Sequence, residues 1–594
     1  MKPLTADVHY QVEVLNLHAH VWLVTQTIAK PQALQILQLP VWIPGSYMVR
    51  EFSKQLSLVK AFQNGSACSV TQTAKATWQV HADPTQALTV QYQVHAYDAS
   101  VRTAWLDAMR GFFNPTSLCM IAIGHEQQAH SLLLVQPEAC PHWRLACALP
   151  PLKTNARGFG VYVAADYDEL ADSPVEMADF WSGEFLAKGV PHRVVVTGAA
   201  PAFDCQRLLN DMQRICETEI GFWHGKGKAV HDRYVFLINA VAEGYGGLEH
   251  KHSTALICKR EDLPRTDQPG ASDGYVSLLG LISHEYFHTW NVKRLRPVSL
   301  SNYDYTQENY TDLLWFFEGF TSYYDDVLLC RSGLISPAVY LKLLGKTINS
   351  VLQTPGRQKH SVAQASFEAW TKLYRPDANS PNLSVSYYAK GSLVGLCLDL
   401  SLRQSGHSLD EVMRGLWKRC QAGPMQESDV LQVLKDITGR SWQRDIKAWV
   451  HGTAELPLKQ LLMAQGVAIT EEKAPLSQQL GLRVQENHAV QIQTVLNGSV
   501  CEAAGFAPGD EWLGVTVKHK QKTASTWRIK RLDQLPVLLG EHTAFTAMLA
   551  RDGQILQLPV RLPVKNQFVW RLAIQDPIKL GEWLADKPRN PSLG

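Results

Sequence analysis

His284-Glu285-Tyr286-Phe287-His288 constrains this chain more than any other stretch, because two imidazoles four residues apart share one face only on a helix. The preceding Val276-Ser-Leu-Leu-Gly-Leu-Ile-Ser283 is helix-compatible, so a helix over 276–291 is expected. On it His284 and His288 can reach one ion while Glu285 points beside them toward a water. The spacing supplies half of a tetrahedral metal site. So short a motif arises by chance in roughly a few per cent of chains this long, so its surroundings have to decide.

A catalytic zinc needs a third protein ligand and an open position. In Trp315-Phe-Phe-Glu318-Gly-Phe-Thr-Ser-Tyr-Tyr324, on a second expected helix over 311–331, one carboxylate sits among aromatics, where it is costly without a cation. Spacing alone leaves open a cap or salt bridge inside a helical core for Glu318. Asp325, two turns on along the same face, could orient a ligating histidine or be an ordinary surface acid. The chemistry expected of the set is metal-assisted amide hydrolysis, with Glu285 taking a proton from water and delivering it to the leaving amine. An oxyanion donor is also needed, and Tyr388 in Ser386-Tyr387-Tyr388-Ala-Lys390-Gly391 is a candidate, with core packing as the alternative.

The chain has 594 residues, which implies three or four domains. With 45% hydrophobic and 19% charged residues it should fold throughout, and a formal charge of +2 favours neither nucleic acid nor an anionic membrane. The basic run Lys518-His519-Lys520-Gln521-Lys522 reads as a solvated hairpin. Eleven scattered cysteines with no C-x-x-C pair argue against a disulfide framework or a cysteine zinc site. The start alternates Val8, Tyr10, Val12, Val14 as a strand rather than a signal peptide, and no stretch reaches a membrane span. A cytoplasmic location is expected.

Short alternating runs such as Leu88-Thr-Val-Gln-Tyr-Gln-Val94 fill an all-β domain over 1–175. A catalytic domain over 176–456 begins with mixed elements: strands at 193–197 and 234–239 and a helix over 204–223. Helices then dominate, including 337–353 behind Pro337. The stretch 456–475 reads as a linker, and short strands return in a β module over 470–575. The fold class is therefore multidomain α+β.

Many separated segments resemble the glycyl aminopeptidase family of zinc metallopeptidases, relatives of the thermolysin and aminopeptidase N types. They are Trp42-Ile-Pro-Gly-Ser-Tyr-Met-Val-Arg50, Ser100-Val-Arg-Thr-Ala-Trp-Leu-Asp107, Asp172-Ser-Pro-Val-Glu-Met177 and His284 through Pro297, together with the C-terminal module. The resemblance implies a thermolysin-like catalytic domain with one zinc ion on His284, His288 and Glu318, Glu285 as general base and Tyr388 as oxyanion donor. Gly246-Gly247-Leu248-Glu249-His250 is similar to the G-x-M-E-N strand of aminopeptidase N types, which implies substrate binding by Gly246 and Gly247 and an amine anchor at Glu249; Leu248 and His250 depart from that pattern. Glu176 could supply a second amine contact or be structural, and Lys293, Arg294 and Arg296 could hold a substrate carboxylate or make internal salt bridges.

Leu480-Gly-Leu-Arg-Val484 and Ala504-Gly-Phe-Ala-Pro-Gly-Asp510 resemble a bacterial-type PDZ domain, which implies a groove for a peptide C-terminus. The implied function is an aminopeptidase acting on peptides with a free N-terminus and a small first residue, Gly or Ala. A PDZ-assisted zinc endopeptidase and a non-catalytic peptide-binding scaffold are the alternatives. The complete set of four motif residues argues against the scaffold. Oligomeric state is not legible in the sequence.

Overall fold

The computed structural model describes residues 6–518 and 524–585, so most of the basic run at 518–522 lies outside the described residues. The chain divides into two compact units, residues 1–310, 324–335 and 413–429 in the first and 311–323, 336–412 and 430–594 in the second.

The first unit begins with three β-sheets. In the largest, of eight strands, Val8–Asn16 lies between Val21–Ile28, its antiparallel hairpin partner, and His130–Leu134, which runs parallel to it. The expected strand at Leu88 is there as Leu88–His95, with alternate residues buried as its sequence alternation requires. A four-stranded sheet pairs Val175–Ala178 with both Arg110–Phe113 and Arg144–Cys147, so pairing among these strands runs on to Ala178.

The same unit continues into a five-stranded sheet. Val190–Thr197, Tyr234–Val241 and Ser253–Lys259 are parallel neighbours, with Trp181–Ala187 antiparallel at one edge and Gly246–Glu249 antiparallel at the other. All but the last residue of the central strand Tyr234–Val241 is buried, the near-continuous apolar run that a strand covered on both faces shows. Ile43, Val101, Phe112, Val195, Leu237 and Leu248 belong to one core cluster, which joins this sheet to the β-sheets before it. Because side chains alternate along a strand, Leu248 enters that core and its neighbours Gly247 and Glu249 face the other way.

The second unit is helical around Pro337–Leu352 and Tyr387–Arg403 and ends in a β module. In the module Leu482–Glu486, Val490–Val495, Glu511–Val517, Ala544–Arg551 and Gln554–Arg561 follow one another across a sheet with its own apolar core. The stretch expected as a linker is ordered instead: Leu458–Ala464 is a helix and Val467–Lys473 a strand. That strand's partner is Phe568–Ile574, and a pairing so distant leaves no local trace in sequence.

Candidate metal and peptide site

The motif helix runs Asp273–Phe287, capped by Ser272, whose Oγ accepts from the Tyr275 amide at 3.0 Å. It is buried on nearly every face, which explains its apolar sequence. Tyr286, one of the two unspecified motif positions, anchors it: its hydroxyl lies 2.8 Å from His192 Nε2 and 3.0 Å from His231 Nε2. Burial pushes the His192 imidazole down to about 4 and His231 to about 2, so both stay neutral. Ser283 ties the helix to its neighbours through Glu219 Oε1 at 2.9 Å and the Asp325 carbonyl at 3.0 Å.

The helix ends just before His288, and the chain turns sharply through Val292, a β-branched residue at φ 114°. That turn places the Asn291 carbonyl 2.8 Å from His288 Nδ1, while the carboxylate of Asp325 lies 3.1 Å from His284 Nδ1. A carbonyl and a carboxylate can only accept, so both Nδ1 atoms donate and both Nε2 atoms present lone pairs. The two Nε2 atoms are 3.1 Å apart. Lone pairs facing across that distance repel, and a cation bound to both relieves the repulsion; the pair therefore fits a metal ion.

Beside them runs the edge strand Gly246–Glu249. Glu249, Glu285 and His288 are buried, and each offers an atom within 4.8 Å of the other two. Gly247 leaves room for Glu285, since a Cβ there would overlap its carboxylate. Gly45, at φ 91°, does the same for Glu249: a Cβ there would lie 2.5 Å from Oε1. Arg102 Nη2 donates to the Gly247 carbonyl at 2.9 Å. Just past Glu249, Asp172 holds His250 Nδ1 at 3.1 Å, the Lys251 amide at 2.7 Å and Lys293 Nζ at 2.8 Å. The Lys293 ammonium and the His250 bond outweigh burial and keep the Asp172 carboxyl well below its usual range.

Other sequence candidates have structural partners. Glu176 forms a buried two-bond pair with Arg110, at 2.8 and 2.7 Å, and accepts from Thr197. Lys293 pairs with Asp172, Arg294 donates to the Thr289 carbonyl, and Arg296 donates to the Lys293 carbonyl.

In the second unit Glu318 is 2% exposed and sits between the short helix Leu314–Phe317 and the helix Gly319–Arg331, where one helix over 311–331 was expected. Gly319 abuts Gly391 so closely that a Cβ on it would come 2.6 Å from the Gly391 backbone. This backbone contact brings the start of one helix against Tyr387–Arg403, whose N-cap Ser386 accepts from the Ala389 amide. Tyr388 feels Glu318 there: burial first, then the charges of Glu318 and Tyr374, raise its hydroxyl well above the usual range, so the phenol keeps its proton.

Sequence reading passed over Asn291, Gly45, Arg102, Asp172 and the Tyr286 network as working parts of the site. Gly45, Arg102, Asp172, Tyr286 and Asn291 all stand inside the segments that carried the family resemblance, which was the available signal; by residue type Asn291 gave none, since it acts through a carbonyl that any residue possesses.

The M61 N-terminal domain profile matches residues 9–179 and the M61 glycyl aminopeptidase profile matches residues 277–394. A crystal structure described as an aminopeptidase N family protein from Idiomarina loihiensis is 34% identical, covers 97% of this chain and 100% of its own, and superposes with a TM-score of 0.92. An M1 zinc metallopeptidase from Deinococcus radiodurans is 15% identical over 76% of this chain and 94% of its own, with a TM-score of 0.47. No curated protein matches the chain. The chain is thus a peptidase by class. It belongs to the M61 glycyl aminopeptidase family.

Proposed function

We propose that the protein is a zinc aminopeptidase that removes one small residue, Gly or Ala, from the free N-terminus of a peptide. The observation that carries this reading is the close grouping of Glu249, Glu285 and His288, within 4.8 Å of one another. An α-amine nitrogen lies about 2.5 Å from the carbonyl carbon of its own residue. A peptide whose ammonium is bound by Glu249 therefore presents its first carbonyl, and no later one, to Glu285. The preference for Gly follows the family description, and Ala is the next residue in size.

His284, His288 and Glu318 would hold the ion, two imidazole nitrogens and one carboxylate oxygen being donors suited to zinc. Zinc, when bound, lowers the pKa of water and polarises a carbonyl. Glu285 takes the proton of the attacking water and returns it to the departing amine. Tyr388, protonated, donates to the oxyanion that develops at the first carbonyl. Asp325 and Asn291 hold the two imidazoles in the ligating tautomer.

The C-terminal module is PDZ-like in this reading, with Leu482–Glu486 as an edge strand that takes a peptide C-terminus by strand addition. A reducing, cytoplasmic location accords with eleven free cysteines. Among the described residues no helix is long and apolar enough to cross a membrane.

Hydrolysis of Gly-, Ala- and Leu-Ala-Phe peptides, free and N-acetylated, by zinc-loaded protein and by Glu285→Gln tests the reading. Release of the first residue from free peptides alone, at least ~100-fold slower in the variant, is expected. Internal cleavage regardless of acetylation would make the protein an endopeptidase and remove the anchor role of Glu249.

A further inference from the structure

We propose that Arg102 binds the α-carboxylate of the second substrate residue, which makes dipeptides the preferred substrates; the inference rests on the aminopeptidase reading and adds the length of the substrate to it. Its basis is the direction of the edge strand. The His250 amide bonds to Ser253 across the hairpin at 2.9 Å, and alternate residues of an antiparallel strand bond inward, so Leu248 and Gly246 face the partner strand and Gly247 and Glu249 face outward. The outward Gly247 carbonyl is the one that Arg102 holds.

Along this strand Glu249 marks the amine end and Gly247 lies against Glu285. A peptide anchored at Glu249 with its first carbonyl at Glu285 continues toward Gly247 and Gly246, where the guanidinium of Arg102 stands. The carboxylate carbon of a dipeptide is about 2.5 Å from the scissile nitrogen. It therefore falls in the neighbourhood of Arg102, while a longer peptide offers a neutral carbonyl there.

Arg102 is equipped for this. Its one hydrogen-bonded group is Nη2, Nε is buried with no partner, and among the described residues no carboxylate pairs with it. The residue as a whole is half-buried, so its outer nitrogens remain within reach of a carboxylate. The other charged groups beside this strand are the carboxylates of Glu249 and Glu285, which cannot bind an anion. Lys293, the nearby buried ammonium, is committed to Asp172. The backbone carrying Arg102 is fixed: Asn114 Nδ2 donates to the Val101 carbonyl at 2.8 Å and to that of Thr103 at 3.3 Å, and Val101 is packed in the core with Leu248. A guanidinium so placed can form the forked pair with a carboxylate without reorganising.

The test compares Ala-Ala, its C-terminal amide and Ala-Ala-Ala as substrates of the zinc-loaded protein and of Arg102→Gln and Arg102→Lys. The free dipeptide should exceed its amide in kcat/KM by roughly 10- to 100-fold, mostly through KM, as for a charge-assisted bond. Arg102→Gln should bring acid and amide to parity, and Arg102→Lys should restore part of the difference. Calorimetric binding of the same acid and amide to Glu285→Gln should reproduce the ratio without turnover. Equal use of acid and amide by the unaltered protein overturns the proposal, even if Arg102→Gln fails to fold; so does a preference that survives in a folded Arg102→Gln. If acetylating the amine of Ala-Ala makes no difference, the aminopeptidase reading fails instead, whatever the carboxylate does.

Discussion

The carboxylate of Glu249 rests against the backbone of Gly45, and a Cβ on Gly45 would stand 2.5 Å from its Oε1. Gly45→Ala must therefore shift Glu249, and it places alanine at φ 91°, a conformation costing about 1–2 kcal/mol. Hydrolysis of free-amine peptides should fall by about tenfold or more, the effect of a misplaced charge-assisted bond. Metal content should not change. Steady-state kinetics beside metal analysis of the same preparation checks both halves.

Asp325 acts on His284 through one bond at 3.1 Å. Asp325→Asn should weaken zinc binding by about 10- to 100-fold, since it disturbs the tautomer and basicity of the imidazole. Competition with a chelator of known affinity measures this directly. An unchanged affinity would mean that the carboxylate does not orient the ligand.

Tyr388→Phe removes the proposed oxyanion donor while leaving Glu318 in place. The loss should appear in kcat, about 100-fold or more, with KM nearly constant, because the hydrogen bond forms with the developing charge. Progress curves over a range of substrate concentrations separate the two constants.

Acid stability should reflect His192. Its folded pKa of about 4 lies below the unfolded value of 6.5, so between these limits the unfolded chain binds more protons than the native one. Its contribution is fully present above about pH 6.5, declines as pH falls toward 4, and declines no further below. His231, lower still at about 2, extends the decline. Urea unfolding at pH 7.5, 6, 5 and 4 should show stability falling through this window, with about one proton taken up per histidine on unfolding.

Much of this architecture was legible where the signal is local. The helix of the motif, the strands around Val8, Leu88, Arg193 and Tyr234, and the helix behind Pro337 follow from periodicity and caps, and the structure contains each. The motif helix stops at Phe287, short of the expected 291, because the chain breaks into the Val292 turn, and nothing about valine announces a positive φ. The helix expected over 311–331 is interrupted at Glu318, where Gly319 meets Gly391, a contact set by a distant glycine. The strand Val467–Lys473 was unreadable for a similar reason, its partner lying at Phe568–Ile574. Of the candidate site, the residues proposed to act through their side chains stood out by type and spacing. Gly247 entered through the resemblance of its stretch to a known strand, whereas Gly45 and Asn291, which act through the backbone, have no such signature.

The ribbon formed by Val467–Lys473 and Phe568–Ile574 also fixes where the chain enters and leaves the β module. Lys473 faces Phe568, and the Ala474 amide bonds to the Gln567 carbonyl at 2.9 Å, so the β module leaves and re-enters through neighbouring positions. A segment with adjoining ends is a cassette: it can be excised and the gap spanned by a tight turn, with both strands of the ribbon left in register. The module also bonds to the helical part, Asn382 Nδ2 donating to the Val495 carbonyl at 2.9 Å, so a chain shortened in this way gives up those bonds but keeps every residue of the proposed catalytic set.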